Sequence, residues 1–167
     1  MDYFSEDSLR GSQRPAVVIG LAMLFGVFVY AGIVEFISRS KAPFTGYAPL
    51  PADDFSMLRL LLLGAGLVSL VLIPFLRRRI LSAPDRTVSP SGSDQAVAGR
   101  LMSVCVVTLA LCESIAIYGL VLFLLNGARQ EFYAFFCLSL AAFMLNFPRL
   151  ERWQEWARIM KDAPRQG

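Results

Sequence analysis

Four apolar runs, each near the ~20 residues that a helix needs to cross a ~30 Å hydrocarbon core, constrain this chain more than any other feature. Ala16 to Val34 carries no charge. Met57 to Leu76 has Arg59 near its start and Pro74 near its end, and stops against Arg77, Arg78 and Arg79. Leu101 to Leu125 holds one charge, Glu113. Phe132 to Phe147 is shorter, 16 residues, and spans only with local bilayer thinning or help from flanking residues. With 56% hydrophobic residues, 17% charged and a mean hydropathy of +0.55, a water-soluble globular domain is excluded as the main reading. The predicted fold class is all-α: a polytopic membrane protein with four transmembrane helices, at about 16–35, 57–76, 101–125 and 132–147. Spans apolar on every side give no periodic stripe, so inward faces are expected from small and polar residues.

Breaker chemistry separates the runs. Ser38 to Ser56 holds Pro43, Gly46, Pro49 and Pro51 and is expected to be an ordered turn or coil. Residues 82–99, with Pro84, Pro90, Gly92 and several serines, have the composition of a flexible linker. The connection Asn126 to Glu131 is tight and makes the third and fourth spans antiparallel neighbours. Twelve of the 16 Lys and Arg residues fall in the N-terminal tail 1–14, the 77–100 segment and the tail after the fourth span. The positive-inside rule then places both termini in the cytoplasm, in a bacterial-type inner membrane. A cleaved signal peptide is disfavoured, because the first run exceeds the usual 7–15 residues and no small-residue cleavage site follows it.

After Asn146 and Pro148, Leu150, Trp153, Trp156, Ala157 and Met160 recur at three- and four-residue spacing, with Arg149, Glu151, Arg152, Glu155 and Arg158 on the other side. Residues 148–167 are therefore expected to form a cytoplasmic amphipathic helix and tail, with Trp153 and Trp156 at the membrane interface.

The chain has no histidine, which removes the commonest general base and metal ligand. Cys105, Cys112 and Cys137 lie inside apolar runs and read as small hydrophobes rather than as a disulfide framework or metal site. Asp53 and Asp54 alone do not specify a metal. No enzymatic site, cofactor, nucleic-acid partner or small-molecule substrate is expected; the expected partners are membrane lipids and other transmembrane helices in a homo- or hetero-oligomer. Glu35 and Arg59 fall at the outer ends of their spans and are expected either to pair with each other or to snorkel toward water, while Arg129 and Glu131 are expected to be solvated.

Glu113 asks for an explanation. It lies in the middle of its run, where a charged side chain costs about 2.5–3.5 kcal/mol to insert, and no Lys or Arg lies deep in any span to neutralise it. The protonated form is the cheaper state there, which is the condition for reversible proton binding. Ala110 and Ala116, three residues to either side, would admit a neighbouring helix, while Ser114 and Tyr118 offer hydroxyls nearby. Gly20, Gly26 and Gly32 in the first span and Gly64, Ala65 and Gly66 in the second are candidate partner surfaces. An equally weighted alternative is a neutral glutamic acid that only hydrogen-bonds another helix as glue.

Glu113-Ser114-Ile115-Ala116-Ile117-Tyr118-Gly119-Leu120 resembles the carboxylate helix of rotary ATPase proteolipids, whose pattern there is E-x-x-A-I-Y-G-L or close to it. The resemblance covers about 25 of the 167 residues. It implies that Glu113 is a reversible proton carrier in a membrane assembly and that Tyr118 lies near the ion site. Outside that run the chain departs from the family: the second span lacks a glycine repeat, the linker is long, and the fourth span carries no carboxylate. No Gln lies in a span, so the resemblance implies a proton rather than sodium.

Overall fold

A computed structural model describes residues 6–82 and 93–147 of the chain. Among these residues the fold is all-helical, with α1 at Glu6–Ser40, α2 at Ala52–Ser82, α3 at Ser93–Asn126 and α4 at Arg129–Asn146. Three helices contain segments long and apolar enough to cross a membrane: Arg14–Ser40, Ala52–Leu76 and Met102–Asn126. The fourth, α4, has 18 residues and is ~27 Å long at 1.5 Å per residue. The interfacial helix expected over 148–167, with Trp153 and Trp156, lies outside the described residues.

The helices run further than the apolar segments. α1 already begins at Glu6, within the stretch expected as a tail, and α2 continues through Pro74 and the arginine cluster to Ser82. α3 begins at Ser93, so the segment expected as linker is helical from there on, and residues 83–92 lie outside the description. Gln95, Ala96 and Ala98 are good helix formers and offset the one glycine, Gly99.

α3 is the central helix and packs against the other three. Its wide inner face includes Leu109, Cys112, Ile115, Ala116 and Leu122, all fully buried. α1 offers a narrow stripe of small and β-branched residues, Ala16, Gly20, Val27 and Val34, while α2 offers Gly66, Ser69 and Ile73. Phe132, Phe135, Ser139, Ala142 and Phe143 form the inner face of α4. Large apolar side chains such as Phe25, Leu60, Leu67 and Val71 are exposed on the outside. In hydrocarbon such surfaces need no cover, and close packing of small residues holds the helices together.

Glycines separate into two kinds. A Cβ on Gly20 would lie 3.2 Å from Leu109 Cδ1, and one on Gly26 would lie 3.2 Å from Glu113 Oε1, so both mark the close approach of α1 to α3. Gly32 and Gly64, also candidates for packing, have nothing within 4 Å. Gly32→Ala and Gly64→Ala are therefore expected to leave thermal stability in detergent unchanged or to raise it by up to ~1 kcal/mol through helix propensity.

The connection between α1 and α2 is ordered, as its prolines and its one glycine predict. It folds over the α3–α4 turn: the Tyr47 N–H donates to Leu124 O at 2.8 Å, and the Asn126 side-chain amide brackets Leu50, accepting from its N–H at 2.9 Å and donating to its carbonyl at 3.3 Å. Gly127, at φ +67°, ends α3 in the left-handed conformation, and its N–H returns to Phe123 O at 2.7 Å. Phe44 packs between Tyr47 and Phe123, with ring centroids at 5.2 and 5.1 Å.

The Glu35–Arg59 pair does not form. Glu35 instead meets Arg39 one turn on, at 3.4 Å, and accepts hydrogen bonds from Arg129 and Tyr133 of α4. Arg59 meets Glu131 at 3.6 Å. Arg129 and Glu131, expected to be solvated, are thus both paired. The start of α4 lies between the end of α1 and the start of α2, so each outer charge finds its partner on α4. The arginines of these pairs are exposed and the carboxylates half-buried, so the pairs orient the rim more than they stabilise it.

Candidate functional site

Glu113 lies near the middle of the apolar segment Met102–Asn126, on the side of α3 that meets α1. The Tyr30 hydroxyl of α1 donates to its Oε1 at 2.8 Å. Gly26, one turn before Tyr30 and on the same face of α1, leaves the space that the carboxyl group occupies. Among the described residues Tyr30 is the hydrogen-bond partner of Glu113, and no Lys or Arg pairs with it. The carboxyl group is half-buried rather than sealed.

The other candidates are placed differently. Ala116 is fully buried in the core, on the packed side of α3. Ala110 is exposed and faces outward. The Ser114 hydroxyl donates to Leu111 O of its own helix at 2.8 Å, satisfying itself within one turn. Tyr118 is half-buried and packs on the main apolar cluster. The group that reaches Glu113 thus comes from another helix, 83 residues away in sequence. Tyr30 is the residue that sequence reasoning missed. A tyrosine inside the first span, one turn from Gly26, was the available signal.

A second polar contact lies one residue away. Ser139 of α4 is fully buried and its hydroxyl donates to Cys112 O at 2.7 Å. Consecutive residues of α3, Cys112 and Glu113, therefore bond to α4 and α1 respectively. Three helices are tied together at one depth by two hydrogen bonds, each to a group that would otherwise lie in an apolar setting.

Chemically, the arrangement can hold a proton on Glu113 or place a carboxylate beside a phenol. A Tyr30 proton donated to Oε1 leaves Oε2 able to carry the carboxyl proton, so the contact is compatible with a neutral glutamic acid. Comparison with protein-family models, with curated proteins and with solved structures finds no match to this chain. The likeness to proteolipids therefore stands on the run around Glu113 alone.

Proposed function

We propose that this chain is a structural or accessory protein of the bacterial inner membrane, with both termini cytoplasmic and α4 as a fourth span, in which Glu113 fastens α1 to α3. The observation that carries this reading is the Tyr30–Glu113 hydrogen bond between two membrane-length helices of one chain. Gly26 supports it, because α1 is shaped to admit the carboxyl group. The partners of such a protein are lipids and other transmembrane helices, and it carries out no reaction of its own.

Interhelical hydrogen bonds in membranes contribute about 0.6 kcal/mol on average and at most ~1.7 kcal/mol. Tyr30→Phe and Glu113→Ala are each expected to lower stability in detergent within that range. Glu113→Gln keeps an acceptor oxygen for Tyr30 and is expected to stay within ~0.5 kcal/mol of the parent. Thermal unfolding followed by helical circular dichroism checks all three, and equal losses for Gln and Ala would count against the role of the acceptor.

A second reading keeps Glu113 as a proton-binding group of a proteolipid-like subunit. It is favoured by the half-buried carboxyl with no cation beside it among the described residues. Dicyclohexylcarbodiimide labelling in native membranes separates the two. Labelling at Glu113 that falls as pH rises, and is lost in Glu113→Gln, supports proton binding; no labelling at any pH supports the fastening role.

A further inference from the structure

On the lipid-facing side, α1 and α4 leave a groove of about 430 Å³ lined by Leu24, Phe28, Leu140, Phe143, Met144 and Phe147. We propose that this groove seats an acyl chain of an anionic phospholipid whose head group lies at Arg14. The inference rests on the membrane-spanning reading of α1.

Depth is the first support. Gly26 adjoins Glu113 near the middle of the spans, and Phe28 meets Phe136 edge-on at 5.8 Å at the mid-membrane end of the groove. From there the lining descends to Phe147, whose ring lies opposite Gly20. The groove thus occupies the half of the hydrocarbon core on the N-terminal side of α1, the depth at which one leaflet's acyl chains lie.

Charge is the second. Arg14, Leu21 and Phe28 recur at seven-residue spacing and so lie along one side of α1. Arg14 is exposed, and it is twelve residues from Gly26, ~18 Å along the helix. That is just beyond the ~15 Å half-thickness of the hydrocarbon core, at the level of the phosphates. The cation therefore lies at head-group depth on the side of the helix that also contributes Phe28 to the groove.

The apolar lining and the cation together select the occupant. A single acyl chain is narrow enough, and the six side chains that line the groove are all apolar. Basic residues near a membrane surface favour anionic head groups.

The test reconstitutes the full chain into vesicles of equimolar phosphatidylcholine and phosphatidylglycerol, re-extracts it in detergent and counts retained lipids by native mass spectrometry. One retained phospholipid, preferentially phosphatidylglycerol, is expected. Arg14→Gln should lower that preference about five-fold while leaving retention in place. Leu24→Trp and Met144→Trp should each abolish retention by filling the groove. Met144 is 75% exposed, so its variant is expected to fold, as an unchanged elution profile and helicity would show. Equal retention in both tryptophan variants would mean annular lipid only and would overturn the proposal, as would a retained second copy in place of lipid. Carbonate extraction of membranes tests the spanning reading separately: a chain that resists extraction yet retains no lipid overturns the groove assignment alone.

Discussion

Gly46→Ala is expected to lift the α1–α2 connection off the α3–α4 turn and to lower stability by roughly 2–5 kcal/mol. Gly46 has φ +97°, a conformation that an L side chain rarely adopts. The added Cβ would also lie 1.8 Å from Leu125 O and 2.7 Å from Asn126 Cα. Those atoms are backbone, so no rotamer change relieves the overlap. The connection must then move away, and the Tyr47 N–H bond to Leu124 O and the Asn126 bracket around Leu50 go with it. Thermal unfolding in detergent measures the loss, and increased proteolysis within 41–51 would locate it.

Gly119→Leu is the second large effect. Even a single Cβ at Gly119 would lie 2.7 Å from Phe135 Cβ and 3.2 Å from Phe132 Cα and O. Two of these atoms are backbone of α4 and the third is fixed directly to it, so α4 itself has to retreat from α3. Gly119→Ala is expected to cost ~1–2 kcal/mol, the overpacking being partly offset by better helix propensity. A leucine adds three further carbons to a space already filled, with an expected loss above ~3 kcal/mol and displacement of α4. Because α4 carries Ser139 and Arg129, the contacts to Cys112 and Glu35 should fail together. Cysteine crosslinking between α3 and α4 in membranes reads that displacement.

The apolar helices were legible because length and hydropathy suffice to find them: the three membrane-length segments overlap the first three apolar runs, with ends at most six residues apart. The ordered connection was legible from Pro43, Gly46, Pro49 and Pro51, although the α3–α4 turn that Gly46 lies against was not. Helix ends were less visible, because α2 and α3 extend into charged and small-residue sequence that hydropathy does not reward. Glu113 stood out as the one charge in its run, but its partner did not. Tyr30 is joined to it only by the way α1 lies on α3, and no local spacing encodes that. The rim charges were misassigned for the same reason: sequence puts Glu35, Arg59, Arg129 and Glu131 at one end of the bundle without saying that α4 starts between α1 and α2. Gly119 was read as part of a motif, whereas its position against Phe132 and Phe135 makes it a packing residue.

The most direct test of the fastening role of Glu113 is a double-mutant cycle on Tyr30→Phe and Glu113→Ala, read as unfolding free energy in detergent. If the hydroxyl and the carboxyl group hold α1 on α3 through each other, the double variant should lose less than the two single losses combined. The expected coupling energy is about 0.6–1.7 kcal/mol. Fully additive losses would contradict the account, because the two groups would then act independently and the α1–α3 contact would rest on packing alone.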